Sequence, residues 1–186
     1  MPVPAEVAIQ VETFVEGALV DIPGIAIAQY QTWFSRWLQA LDLDLSPIHA
    51  YEVSLRLTTD AEIKQLNTDY RYQANPTDVL SFAALETHLP GADEMVWQQP
   101  LYLGDIVISV ETAQRQARER DRTLAQEVAW LAAHGLLHLI GWDHPDEQSL
   151  LEMLAKQDQL LLLINYPSSD KLPDSEKKEM NRSTQV

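Results

Sequence analysis

Three of the five histidines in this 186-residue chain, His134, His138 and His144, fall within eleven residues. His134 and His138 are four residues apart, which places two imidazoles on one helix face with their Cβ atoms about 5–6 Å apart. Gly141 is expected to end that helix and turn the chain, so that His144 returns towards the pair. Three neutral imidazoles leave the fourth tetrahedral position of a metal ion open, as in catalytic zinc sites. The spacing therefore predicts a catalytic metal site.

A structural explanation of the same histidines has to be weighed first. A single buried histidine is more often hydrogen-bonded to the backbone than bound to a metal. Here, however, the segment from Val128 to Trp142 is uncharged and apolar, so it gives buried imidazoles few polar partners. The chain also has no cysteine, which excludes Cys-ligated zinc, iron–sulfur clusters and a thiol nucleophile. A metal held by histidine remains the preferred interpretation.

The spacing of the three histidines and Gly141 also matches the zinc triad of the metzincin proteases, except at one position. Those proteases carry glutamate directly after the first histidine as the general base for peptide hydrolysis, whereas this chain has Gly135. Without that carboxylate the protease mechanism is missing although the metal ligands are present. A zinc metallopeptidase-like hydrolase is therefore an alternative function, and Gly135→Glu is the variant that the sequence suggests for testing it.

The composition limits the class of protein. With 28 acidic and 13 basic residues the formal charge is −15, while 46% hydrophobic residues allow a substantial core. That core excludes a wholly disordered acidic chain, and the acidity disfavours loose binding to nucleic acid. No apolar stretch is long enough to span a bilayer, and residues 1–6 lack the pattern of a secretory signal. We expect a cytoplasmic protein without a membrane partner.

Hydrophobic periodicity predicts an α+β fold, in which a small mixed β-sheet packs with helices and the metal site lies on a buried central helix. The expected domain covers residues 1–166, and residues 167–186 are expected to form a disordered tail. The first helix carries Trp33, Phe34 and Trp37 at helical spacing, which indicates core packing. The strands are expected at residues 7–14, 51–57, 78–82 and 103–109. The helices are expected at residues 29–43, 110–120, 124–139 and 147–164, with one more that begins at a cap among residues 58–60 and ends at residue 70.

Three blocks of sequence resemble one known family. The segment from His134 to His144 resembles the His-Gly-x-Leu-His-Leu-x-Gly-Tyr-Asp-His signature of the YbeY family, metal-dependent bacterial endoribonucleases of rRNA maturation. Residues 66–82 resemble its Leu-Asn-x-x-Tyr-Arg and Pro-Thr-Asp-Val-Leu-Ser-Phe stretches, and residues 103–109 resemble its Leu-Gly-Asp-Ile strand. The chain departs from the family pattern at three places. It has Trp142 where the family usually has Tyr, Ala83 where Pro is common, and Gln73-Ala74 in place of a Lys-Asp pair.

The resemblance implies a function and assigns roles to residues. It implies a single-strand-specific, metal-dependent endoribonuclease acting in 16S rRNA 3′-end processing and ribosome quality control. His134, His138 and His144 would hold one divalent transition metal, with Zn(II) the first choice, and Arg71 would be catalytic. The implied partners are single-stranded rRNA and the small ribosomal subunit with its assembly factors, and not DNA. A non-catalytic assembly factor with a structural metal is a further alternative.

Several polar residues are open to two interpretations from the residues alone. Arg71 has a guanidinium suited to two phosphate oxygens, or it is an exposed arginine at a helix end. Asp143 either orients a ligand imidazole or caps the turn. Ser81 and Asp105 either line a cleft or, as we prefer, make buried structural hydrogen bonds. A group of arginines either guides RNA or forms a solvated helix face: Arg115, Arg118, Arg120 and Arg122.

Overall fold

The described part of the chain in this computed structural model, residues 10–17, 21–84 and 99–166, contains four strands and five helices. This mixture confirms the expected α+β class. In chain order the elements are β1 (Gln10–Glu16), α1 (Ile27–Leu41), β2 (Ala50–Thr58), α2 (Asp60–Arg71), β3 (Val79–Ala83), β4 (Leu101–Ser109), α3 (Val110–Glu119), α4 (Leu124–Leu139) and α5 (Glu147–Leu163).

The four strands form one mixed sheet in the order β1-β2-β4-β3. Strands β1, β2 and β4 run parallel, and β3 is antiparallel to β4. Strand β4 is paired on both sides, and its residues Leu103, Ile106 and Ile108 are fully buried. This burial explains why the β4 sequence is an almost continuous apolar run instead of an alternating one.

Helix α1 covers one end of the core with aromatic side chains. Trp33, Phe34 and Trp37 are at most 3% exposed, which confirms them as core residues. The indole nitrogen of Trp37 donates a hydrogen bond of 2.9 Å to the Leu160 carbonyl oxygen, and this bond ties α1 to α5. The indole N–H of Trp37 thus has a hydrogen-bond partner although the ring is buried.

Helix α4 lies at the centre, in contact with β3, β4, α3 and α5. Its start is fixed by a capping box, in which the Thr123 side chain accepts a hydrogen bond from the Gln126 backbone N–H and the Gln126 side chain accepts one from that of Thr123. Gly135 allows the helix to approach the sheet, because a Cβ atom there would lie only 2.7 Å from Cγ2 of Ile106. The predicted buried central helix is therefore present.

Element boundaries differ from the sequence-based expectations by a few residues. Helix α1 begins two residues earlier than predicted and ends at Leu41, because Asp42 adopts a left-handed conformation with φ 48°. The first strand was expected over residues 7–14 and is observed as Gln10–Glu16; residues 7–9 lie outside the described part. The predicted tail, residues 167–186, also lies outside it, so the division of the chain at residue 166 stays a prediction.

An ion pair is buried where α3 leads into α4. The guanidinium groups of Arg120 and Arg122 both donate to the carboxylate of Glu127, and the three side chains are 7%, 6% and 0% exposed. Neither alternative suggested by the sequence, an RNA-guiding surface or a solvated helix face, is correct for Arg120 and Arg122. Of the other two arginines, Arg115 pairs with Asp60 at 2.7 Å, and Arg118 is exposed.

Removing the carboxylate of Glu127 is expected to destabilise the fold strongly. In Glu127→Ala the buried Arg120 guanidinium loses its countercharge, which costs about 3–5 kcal/mol of unfolding free energy. The control is Glu16→Ala, because Glu16 pairs with Arg56 at the surface, where an ion pair contributes about 0–1 kcal/mol. Urea unfolding of both variants measures the difference, and equal losses would contradict a structural role for the buried pair.

Candidate metal centre

The structure brings the three predicted histidines together. Their candidate ligand nitrogens lie within 4.8 Å of one another, and Nε2 of His134 is 3.1 Å from Nε2 of His138. Two nitrogens bound tetrahedrally at about 2.0–2.1 Å from one zinc ion would be about 3.3 Å apart. The donor set of His134, His138 and His144 therefore has the spacing needed to hold one transition metal ion.

The turn after α4 explains how His144 reaches the other two histidines. The Trp142 backbone N–H donates to the Leu137 carbonyl, and the Gly141 N–H donates to the His138 carbonyl, both at 3.0 Å. With Gly141 at φ 94° these bonds form a Schellman motif, which reverses the chain at the helix end. An Asp143 carboxylate oxygen then accepts a 2.8 Å hydrogen bond from the His144 backbone N–H. Asp143 thus caps the turn, as the second interpretation proposed.

The environment favours neutral imidazoles. Burial, followed by the nearby His138, lowers the pKa of His134 to about 3. Burial and the neighbouring His144 also lower the pKa of His138. Because a metal ion binds the unprotonated nitrogen of a neutral imidazole, both rings are in a ligating form near pH 7 without losing a proton.

The sequence analysis did not identify Gln157, which contacts the site from α5. Gln157 is fully buried, and its side-chain oxygen lies 3.2 Å from Nδ1 of His134. Its side-chain nitrogen donates a 2.9 Å hydrogen bond to the Trp130 carbonyl. The available signal was its position: Gln157 interrupts the apolar face of α5 between Met153 and Leu160, and a polar residue at such a place needs a buried partner.

Aromatic stacking holds the plane of the His134 ring. The Trp130 ring lies one turn earlier on α4 and stacks on His134 with 5.4 Å between centroids and 9° between planes. The Arg120 guanidinium lies over the Trp130 ring, 5.7 Å from its centroid. The buried ion pair of Arg120 and Glu127 is thus connected through Trp130 to the first histidine of the site.

The histidines open into a cleft of about 320 Å³ that also contains Arg71. Arg71 is the last residue of α2, is exposed, and has no acidic partner within the described ranges. Its positive charge opposes protonation of His138. The predicted catalytic arginine therefore shares a cleft with the histidines. The described lining residues are Arg71, Thr77, Asp78, Val79, Ser81, Trp130, His134, His138, Asp143 and His144.

Polar groups on β3 and β4 have mainly structural contacts. The Asp78 carboxylate lines the cleft, but both of its oxygens are hydrogen-bonded: it accepts from the Val79 N–H at 2.8 Å and from the Gln116 side chain at 2.9 Å. Ser81 lines the cleft and also donates to the Gly135 carbonyl at 3.3 Å, so both of its interpretations hold. Asp105 is absent from the described lining and hydrogen-bonds Tyr102, in agreement with the structural interpretation.

The position that carries glutamate in metzincins faces the sheet in this fold. A Cβ atom at Gly135 would meet Ile106 at 2.7 Å and the Ser81 hydroxyl at 3.1 Å. A glutamate there would disrupt the contact between α4 and β4 instead of providing a base to the cleft. Gly135→Glu is therefore unsuitable as a test of peptidase chemistry, contrary to the suggestion from sequence.

The fold and the site define a class of protein: an α+β protein with a cleft in which three histidines could hold a metal ion beside an arginine. The family model "Endoribonuclease YbeY" matches residues 21–165 of the chain. The chain belongs to the Endoribonuclease YbeY family, which confirms the resemblance and, at the level of the family, the endoribonuclease class.

Relatives and a solved structure agree with this assignment. The chain is 58% identical over 140 residues to the endoribonuclease YbeY of Nostoc sp., covering 75% of this chain and 76% of the relative. It is 54% identical over 154 residues to that of Picosynechococcus sp., covering 82% and 93%. A solution structure of a protein from Thermotoga maritima has a TM-score of 0.54 at 23% identity, covers 95% of this chain and 97% of that one, and supports the fold.

Within residues 10–17, 21–84 and 99–166, no helix is both long and apolar enough to cross a bilayer. Helix α4 is the most apolar of the five helices, but it has 16 residues and carries Glu127 and two histidines. Its apolar surface is buried by the rest of the fold.

Metal binding is expected to be stoichiometric and to require His138. Elemental analysis of the zinc-loaded protein should find about one ion per chain, and zinc should raise the melting temperature of the metal-free protein. His138→Ala should lose both effects, because two imidazoles remain. His49→Asn is the control: it removes an imidazole that is not part of the triad and should behave like wild type. No zinc-dependent shift in the wild-type protein would contradict the site.

Proposed function

We propose that this protein is a metal-dependent endoribonuclease that cleaves single-stranded RNA during rRNA maturation. The observation that carries the proposal is the cleft, in which three imidazoles and an arginine without an acidic partner among the described residues face the same space. The membership in the Endoribonuclease YbeY family supports RNA as the substrate. The two alternatives from the sequence, a metallopeptidase-like hydrolase and a non-catalytic assembly factor, would require different residues in this cleft.

The metal proposed for the site is Zn(II), held by His134, His138 and His144. Three imidazoles suit zinc, although the same donor set also accepts nickel, copper or iron. When bound, the metal supplies a Lewis acid that polarises a phosphate oxygen and lowers the pKa of bound water. The neutral rings of His134 and His138 contribute donor nitrogens that already lie close together, so little reorganisation is needed for binding.

Arg71 is proposed as the catalytic residue that handles the phosphate. Its guanidinium can donate two parallel hydrogen bonds to the oxygens of the scissile phosphate, which orients the phosphate in the cleft. The negative charge on these oxygens increases in the transition state, and a fixed cation then stabilises the transition state more than the bound substrate. Because no described carboxylate forms an ion pair with Arg71, its guanidinium can turn its donors to the phosphate.

The charge of the chain suggests how RNA reaches the cleft. A formal charge of −15 opposes long-range attraction of a polyanion, and two of the nearby arginines are used in the buried pair with Glu127. We therefore propose that a larger ribonucleoprotein, the small ribosomal subunit with its assembly factors, presents the rRNA end. Such a partner implies a cytoplasmic location and gives no role to DNA.

Neither alternative function gains support from the cleft. Peptidase chemistry of the metzincin type needs a carboxylate after the first ligand, and that position is a glycine packed against Ile106. A non-catalytic assembly factor with a structural metal does not require an unneutralised arginine beside the metal ligands. Casein digestion tests the first alternative, and the Arg71 variant described next tests the second.

Arg71→Ala is expected to reduce turnover more than binding. Loss of one preorganised charge donor typically lowers kcat by about 10²–10³-fold, whereas KM should change by much less. Cleavage of a fluorogenic single-stranded RNA by the zinc-loaded protein gives both constants. The control is Arg118→Ala, an exposed arginine outside the described lining of the cleft, which should retain wild-type kcat. An Arg71→Ala variant with unchanged kcat would favour the non-catalytic assembly factor.

Binding of free RNA is expected to depend only weakly on salt. Single-stranded RNA gives a slope of about 0.7 per contacted phosphate in a plot of log affinity against log salt concentration. With few phosphate contacts, this acidic protein should show a slope magnitude of about 1–3. The test is to measure RNA affinity by fluorescence anisotropy at salt concentrations from roughly 50 to 300 mM. Tight binding with a steep slope would show that an extended basic surface is present.

A further inference from the structure

We propose that Gln157 is a positioning residue of the metal centre: it fixes the tautomer and the in-plane orientation of the His134 ring. The inference rests on the metal site of the proposed function and adds a residue to it. The residue lies on α5, whereas the first two candidate ligands lie on α4.

The burial of Gln157 indicates that its amide has a specific task. The side chain is fully buried on a helix face otherwise occupied by Met153, Leu160 and Leu161. Moving an amide from water to an apolar interior is unfavourable unless both of its polar atoms find partners. Both atoms do find partners, the Trp130 carbonyl and the His134 ring, and both partners belong to α4.

The two contacts determine which way the amide faces. The Trp130 carbonyl can only accept a hydrogen bond, so the amide nitrogen of Gln157 must face it, at 2.9 Å. The amide oxygen is then the atom that faces Nδ1 of His134, at 3.2 Å. Because an amide oxygen can only accept, Nδ1 must carry the proton of the neutral ring.

The protonated Nδ1 leaves the lone pair of His134 on Nε2. This nitrogen faces Nε2 of His138 at 3.1 Å and therefore points to the space between the candidate ligands. Stacking on Trp130 fixes the plane of the ring, but stacking does not distinguish the two nitrogens. The hydrogen bond from Gln157 supplies that distinction, as partners of the non-ligating nitrogen do in other metal-binding histidines.

Substitution of Gln157 should therefore weaken metal binding by a predictable amount. Gln157→Met keeps the length of the side chain but removes the acceptor, and we expect the zinc affinity to fall about 10–100-fold. Gln157→Glu keeps an acceptor at the same distance and should remain within a few-fold of wild type. Leu161→Ala is the control, because it shortens a buried side chain of the same helix that has no polar atom to offer the ring: it should lower the melting temperature and leave the affinity unchanged.

The experiment measures zinc affinity by competition with a chromophoric chelator, together with the ¹⁵N spectrum of the ring nitrogens in metal-free protein. The wild-type spectrum should show His134 protonated at Nδ1, and Gln157→Met should shift the ring towards a mixture of tautomers. A wild-type ring protonated at Nε2 would overturn the proposal, even if the Met variant fails to fold. Equal loss of affinity in the Met and Glu variants would also overturn it, because packing alone would then explain the loss.

Failure of the positioning role can be told apart from failure of the site itself. If the wild-type protein binds no zinc, or if His138→Ala binds it as well as wild type, the metal site of the proposed function is wrong. If the wild-type protein binds zinc through His138 but Gln157→Met binds it equally well, the site stands and the role of Gln157 is rejected.

Discussion

Helix α4 has to be shielded from water along nearly its whole length, because apolar residues occupy almost every side of it. The rest of the fold provides that shielding: β3 and β4 lie on one side, and α3 and α5 complete the cover. Helix α4 lies so close to the sheet that a side chain would not fit at the position of Gly135. The first two candidate metal ligands belong to this helix, so the requirement to bury it also removes His134 and much of His138 from water.

Every polar side chain on a buried helix then needs a partner from another part of the chain, since an unsatisfied polar group in the interior is costly. Glu127 meets Arg120 and Arg122 from the segment before the helix, and His134 meets Gln157 from α5. Arg120 lies over Trp130, which in turn stacks on His134. Contacts that stabilise the fold thus also hold the ring of the first candidate ligand, and a metal site requires such preorganised ligands.

The cleft lies where this buried layer meets the surface. His144 arrives there because Gly141 reverses the chain, and Arg71 arrives because α2 ends at the same place, with Tyr72 in a left-handed conformation at φ 57°. One side of the site is therefore buried, while the other is open and carries the Arg71 guanidinium beside the carboxylates of Asp78 and Asp143. In a chain of net charge −15 this local arrangement, and not the overall field, has to account for any recognition of phosphate.

The sequence by itself determined the local features, because these are short-range patterns. They are the helix periodicity, the cap at Thr123, the helix end at Gly141, the apolar strand β4 and the spacing of the three histidines. The sequence was also enough to assign the family, because the family motifs are contiguous stretches of residues. Only the tertiary structure decided that Arg120 and Arg122 are buried against Glu127, that Asp143 caps a turn, and that Gln157 contacts His134 across 23 positions of the chain. The contacts of Gln157 and of the two arginines join separate elements, and the sequence does not show which residue such a side chain will pair with, because burial and pairing arise only when the helices pack. The Asp143 bond is local, but the sequence alone left two roles open for that carboxylate.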